Sequence, residues 1–192
     1  KNLALTAPIN VQYAGLICDY EEAGLKYNGS SSVISNILSS EYLYNNIRVQ
    51  GGAYGAIFSF TDGGHFSLVS YRDPNLARTY KVYEGIPEFL QNYKASKAEI
   101  SKQIIGSVAN IDIPLSPRML LDTSFHFNYT NINPEYRLKF RTQLLNTTVE
   151  NVREVADSFQ KALEKGIKIT TGSNAKIQED KEFFDTIENI FE

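Results

Sequence analysis

Arg48 and Tyr54 stand six residues apart in the stretch RVQGGAYG, with Gly51, Gly52 and Ala53 between them and Gly55 directly after. An arginine offers a planar fork of N–H donors and a tyrosine a single hydroxyl donor. Two adjacent glycines mark a sharp bend, or a place where another backbone comes close. A tight turn here would bring the guanidinium and the phenol onto one rim. Both could then hydrogen-bond an extended peptide passing over Gly51 and Gly52. The same residues also fit a plainer reading. Arg48 would complement the dipole at a helix C-terminus, and Tyr54 would be a core aromatic, since period two puts it on the face of Ala56, Phe58 and Phe60. That reading leaves the double glycine unexplained.

Other familiar chemistry is missing from the sequence. His65 follows a turn and reads as a surface histidine, while His126 lies in an aromatic run and is expected to be packed and hydrogen-bonded. Neither H-E-x-x-H nor H-x-x-E-H occurs, nor does the G-x-S-x-G of a serine hydrolase. The glycine run lacks the Lys-Ser/Thr of a phosphate loop. Asp19, Glu21 and Glu22, and likewise Glu179, Asp180 and Glu182, have no metal-loop spacing and read as solvated faces and helix N-terminal acids. No metal ligands are assigned to this chain. Cys18 is the only cysteine, which excludes an intrachain disulfide or a thiolate cluster, and it reads as semi-buried.

The composition is that of a globular protein: 192 residues, 42% apolar, 21% charged, net charge −3. Nucleic acid would want a basic face, which this balance does not supply. No apolar run approaches the roughly 18 residues of a membrane span. The start, KNLALTAPINVQYAGL, has no initiator methionine and no signal-peptide pattern, and reads as a cut inside a longer polypeptide.

The elements that must carry Arg48 and Tyr54 can be read from periodicity and caps. Residues 9–20 read as a strand from their Val, Ile and Tyr content. Val33, Ile34, Ile37, Leu38, Tyr42, Leu43 and Tyr44 give a helix from Ser31 to about Asn46, so Arg48 leaves its end. Residues 54–60 and 65–72 form a hairpin across Asp62-Gly63-Gly64. Asp73 is the expected N-cap of the next helix, with Pro74 at its first position, and Pro87 should kink or restart it. Ser96 and Glu99 make a capping box, Thr147 and Glu150 a second, and Asn133-Pro134 opens a helix between them. The stretch SFHFNYTNI is ambiguous. The second box should cap a helix ending at Gly166, followed by a short strand, IKITTG, and a closing amphipathic helix, EDKEFFDTIENIF. The order predicts one α+β domain spanning 1–192, with an antiparallel-rich sheet and helices on one face.

YLYNNIRVQGGAYGAIFSF, followed by GHFSLVSYRDPNLARTYKVYEGIPEFL, resembles the C-terminal half of presequence proteases in the pitrilysin/insulinase family of zinc metallopeptidases. The specific parts are the IR-x-x-GGAYG core and the S-YRDPN after the hairpin. SPRMLLDTSFHFNYTNINPEYRLKFRTQLLNTTVENVREVA is similar in spacing, with weaker identity.

The resemblance implies that the chain is the last domain of a peptidase built from two related halves closing around a peptide-sized chamber. Zinc would be bound by the N-terminal half, the partner of this chain, and none here. Arg48 would hold a backbone carbonyl of the peptide substrate. Tyr54 would be the catalytic contributor, supporting the oxyanion, with Gly51, Gly52 and Ala53 letting the substrate pass close. The isolated chain would be inactive. The compartment would be the cytoplasm in a bacterium or an organelle matrix in a eukaryote, with no nucleic-acid or membrane partner. The alternative is a non-catalytic assembly subunit of the same fold; a free-standing peptide-binding module is a further rival.

Overall fold

The computed structural model describes residues 1–191. In chain order the elements are β1 (Leu3–Ala7), β2 (Gln12–Asp19), α1 (Gly29–Ile37), a π-helix (Leu38–Val49), β3 (Gly55–Phe60), β4 (His65–Asp73), α2 (Ala77–Glu84) and α3 (Ile86–Gln91). There follow α4 (Lys97–Ile111), α5 (Pro117–Tyr129), α6 (Pro134–Leu145), α7 (Val149–Glu154), α8 (Ala156–Glu164), β5 (Ile167–Ser173), α9 (Asn174–Glu179), a 3₁₀ turn (Lys181–Phe183) and β6 (Thr186–Asn189).

The strands form one six-stranded sheet in the order β3-β4-β2-β5-β1-β6. The pairings β3–β4, β4–β2 and β2–β5 are antiparallel, and β1 lies parallel to both β5 and β6. The fold is therefore α+β with an antiparallel-rich sheet. The strand alternation explains its layering. Phe58, Leu68 and Leu16 are paired across β3, β4 and β2 and face the helices, with Phe66 stacked on Phe159 of α8 at 4.8 Å between ring centroids. The buried tyrosines of α2 are tied to the sheet by their hydroxyls: Tyr80 Oη donates to Gly15 O and Tyr83 Oη to Ala14 O, at 3.2 and 3.0 Å.

The opposite face of the sheet is bare and apolar. One row across the strands reads Ile57, Val69, Gly15, Ile169, and the next reads Ser59, Ser67, Ile17, Ile167. All five of the isoleucines and valines in these rows are exposed. The outer edge of β3 is partly closed, because Ser39 Oγ bonds both the amide and the carbonyl of Phe58. Blunting an edge in this way limits pairing with a foreign strand.

Several expectations need correction. The strand expected over 9–20 is β2, and an unexpected strand, β1, precedes it across a turn at Pro8; among the described residues β1 pairs with β5 and β6, from the far end of the chain. The helix expected over 31–46 is α-helical only to Ile37 and then widens. Its buried residues Leu38, Leu43 and Ile47 are spaced five and four apart, too wide for a 3.6-residue turn. Asp73 ends β4 and does not cap α2, which starts at Ala77 without a side-chain cap. The second capping box is one residue later, Thr148 with Asn151, and it caps α7, with α8 continuing to Glu164. The ambiguous aromatic stretch lies largely in α5, capped by Ser116, and His126 on it is exposed, not packed. The expected closing helix is instead the last residue of α9, a 3₁₀ turn and β6. Its Thr186 and Ile187 pair with Leu3 and Ala4, and the entry is held by Asn2 N donating to Asp185 Oδ2 at 2.7 Å. Cys18 is fully buried.

Candidate functional site

The loop from Gln50 to Tyr54 joins the π-helix, which carries Arg48 in its last turn, to edge strand β3. Its turn is closed by backbone bonds, Gly52 N to Arg48 O at 3.0 Å and Ala53 N to Ile47 O at 3.1 Å. Gly52 sits at φ 78, in the left-handed region, which a residue with a Cβ occupies only at a cost. At Gly51 a Cβ would lie 2.4 Å from Ile47 O and 2.6 Å from a guanidinium nitrogen of Arg78. Each glycine of the pair thus has its own reason: one bends the chain, the other admits its neighbours.

A second layer holds this loop from behind. Asn75 Nδ2 donates to Gly51 O at 2.6 Å. Asp73, completely buried, orients Asn75 by accepting from its backbone N at 2.8 Å, and it also accepts from Thr79 Oγ1 at 2.6 Å. The Asp-Pro-Asn that suggested a helix start therefore serves the glycine loop. Asn75→Ala leaves Gly51 O without its partner and should lower stability by about 1 kcal/mol. Amide hydrogen exchange at Gly52 and Ala53 should quicken, measured beside the denaturant midpoint. Unchanged exchange there would show that the turn holds without the asparagine.

Arg48 is exposed, and its guanidinium lies over the Tyr44 ring, 5.3 Å from the centroid. Tyr54 is 60% exposed, so the core-aromatic reading does not hold. Its ring packs beside Tyr71 at 5.6 Å between centroids, and the Arg72 guanidinium lies 5.6 Å from its ring centroid. Among the described residues its hydroxyl has no hydrogen-bond partner. Arg48 and Tyr54 lie close in sequence, but no hydrogen bond or cation–π contact joins their side chains among those residues. Ala53 is buried and its amide is spent on Ile47 O. Tyr71 is paired with Gly55 and covers it: a Cβ there would meet the Tyr71 hydroxyl at 2.5 Å.

Arg72 was not singled out in the sequence. Between the pairs Gln12–Asp73 and Ala14–Ser70 the register shifts, so that Tyr71 and Arg72 together oppose Tyr13. This is a β-bulge, and such bulges re-aim side chains. Arg72 has φ 49, uncommon for any residue but glycine, asparagine or aspartate, at a cost of roughly 1 kcal/mol. The only hint in the sequence was its place in YRDPN. Arg48, Arg72 and Arg78 all touch the loop or Tyr54, and none has an ion-pair partner among the described residues. The site is locally positive on a chain of net charge −3, and this favours carbonyl or carboxylate oxygens.

No group of three or more His, Cys, Asp or Glu among the described residues could hold a metal ion. His65 and His126 belong to different elements, β4 and α5. A cavity of about 630 Å³ between α4, α5 and α6 is lined by His126, Arg137 and Arg141, but by none of the loop residues. Among the described residues no helix is long and apolar enough to cross a membrane.

A family profile described as "PreP C-terminal domain" matches residues 2–173. Protein HypA of Clostridium perfringens is 34% identical over 190 residues, covering 99% of this chain and 20% of that protein. Presequence protease 1, chloroplastic/mitochondrial, of Arabidopsis thaliana is 30% identical over 174 residues, covering 90% of this chain and 16% of its own length. The chain thus spans a fifth or less of these relatives. Among solved structures, the peptidase M16 inactive domain from Pseudomonas fluorescens superposes with a TM-score of 0.65 at 18% identity, over 91% of this chain and 44% of that one. Pitrilysin superposes at 0.55 and 18% identity, over 88% of this chain and 19% of its own. At these identities the structural likeness establishes the fold.

Proposed function

This chain belongs to the PreP C-terminal domain family, and on that premise we propose that it is the last domain of a two-half peptidase, contributing Arg48 and Tyr54 to peptide hydrolysis. The observation that carries the proposal is the state of Tyr54: an exposed side chain with its ring held on two sides, its hydroxyl without a hydrogen-bond partner among the described residues, close in sequence to an arginine without an ion-pair partner among them. A hydroxyl kept free in this way is placed for a ligand.

In this reading the peptide runs across Gly51 and Gly52, and Arg48 donates to one of its backbone carbonyls as a charged hydrogen bond. Tyr54 Oη donates to the oxygen of the scissile carbonyl, and the bond strengthens as negative charge develops there. The bare face with Ile57, Val69 and Ile169 takes apolar side chains of the peptide. Contacts to backbone and to a flat apolar face carry little sequence preference, which suits an enzyme that selects unfolded peptides by size.

The described residues of this chain do not fit a zinc site. Zinc, which would activate water in the complete enzyme, is assigned to the N-terminal half, with that half as the partner of this domain. The test is hydrolysis of an unstructured fluorogenic peptide by the full-length protein, with the isolated chain in parallel. Chelator-sensitive turnover by the full-length protein alone is expected. A full-length protein that assembles with partners but turns over no peptide would select the scaffold reading instead.

A further inference from the structure

We propose that Arg72 and the bulge that presents it form a clamp on the Tyr54 ring, making Arg72 a positioning residue for the Tyr54 hydroxyl. The inference rests on the reading of Tyr54 as oxyanion donor. Tyr54 is 60% exposed, and an exposed side chain changes rotamer on the picosecond to nanosecond scale unless held. Two neighbours hold it. Tyr71 packs against it with 5.6 Å between centroids, and the Arg72 guanidinium lies 5.6 Å from its centroid. Tyr71 can take its place only because Gly55 lacks a Cβ. Arg72 reaches the ring only because the extra residue in β4 and the left-handed backbone at φ 49 turn it out of the strand's alternation.

Three features make the clamp more than incidental packing. Among the described residues the guanidinium has no carboxylate to serve, so its visible partner is the ring. The backbone bond Tyr54 N to Arg72 O at 3.3 Å fixes the two main chains to each other, so ring and cation start from neighbouring, tied positions. The left-handed conformation is borne by an arginine where glycine would sit without strain and asparagine with less. Strain kept at a bulge next to a candidate site points to use of the side chain.

The test places Arg72→Asn and Arg72→Lys in the full-length protein, each with and without Tyr54→Phe. Asparagine accepts the left-handed backbone, so the melting temperature of Arg72→Asn should be no lower than that of the parent protein. Its kcat should nevertheless fall on the order of tenfold through misplacement of the hydroxyl, while KM changes less than about twofold. Lysine keeps a cation over the ring and should restore part of the rate. With Tyr54→Phe already present, Arg72→Asn should lower kcat no further, because the group it positions is gone.

An equal loss in both backgrounds would overturn the clamp and leave the role of Tyr54 standing. A rise in KM at constant kcat would overturn it too, making Arg72 a direct contact to the peptide. Full activity in Tyr54→Phe alone would remove the donor role itself and the clamp with it, a pattern distinct from the other two.

Discussion

Tyr54→Phe in the full-length protein should lower kcat by about 100- to 1,000-fold and leave KM nearly unchanged. The substitution keeps the ring, and with it the contacts to Tyr71 and Arg72, and removes one hydroxyl. A donor to the developing oxyanion is worth roughly 2.7–4 kcal/mol, which sets the size of the loss. If the bond matters only as charge develops, ground-state binding is spared and the change falls on kcat. The hydroxyl has no internal partner among the described residues, so folding stability should move by less than about 0.5 kcal/mol. Steady-state kinetics beside thermal melting reads both quantities. A variant with full turnover would return Tyr54 to a passive role, and one with a lowered melting temperature would reveal a partner for the hydroxyl in the complete protein.

Arg48→Ala should raise KM with kcat little changed. A backbone carbonyl away from the scissile bond keeps its charge distribution through the reaction, so its hydrogen bond contributes equally to ground and transition states. Hydrogen bonds to charged groups are worth about 1.5–3 kcal/mol, which corresponds to a KM about 10- to 150-fold higher. Folding should be nearly indifferent, because the guanidinium is exposed and, among the described residues, makes no ion pair, with the Tyr44 ring 5.3 Å away at its centroid. Arg48→Lys should recover only part of the binding, since an ammonium is a point charge without the planar fork. A loss confined to kcat would move Arg48 to the scissile carbonyl itself.

The local parts of this fold were legible and the long-range parts were not. The hairpin at Asp62-Gly63-Gly64, the box of Ser96 with Glu99 and the helix start at Asn133-Pro134 each rest on side chains that act within four residues of themselves. β6 does not: Thr186 and Ile187 are strand residues because Leu3 and Ala4 offer a parallel partner from the opposite end of the chain. Asp73-Pro74 carried a valid local signal for a helix start, but the carboxylate is drawn instead to Asn75 and Thr79. At the site, Arg48, Tyr54 and the glycines stood out by type and spacing. The clamp by Tyr71 and Arg72 did not, because it depends on one unmatched residue in β4, and register is decided between strands.

The spacing of Leu38, Leu43 and Ile47 was a further overlooked clue within a single segment, and it bears on how firmly the site is set. A π-helix closes each turn with one residue more than an α-helix, so the segment's residue count sets the compass direction in which its last side chains point. Removing a single residue between Leu38 and Ile47 would break that count. Gly52 N and Ala53 N bond Arg48 O and Ile47 O, so the end of the segment would keep its place on the glycine loop, and the misfit would fall on the residues before the cut, turning Leu38 or Leu43 away from the core they fill. In this segment a point substitution is a smaller event than a one-residue deletion, because the deletion re-aims every side chain on one side of it.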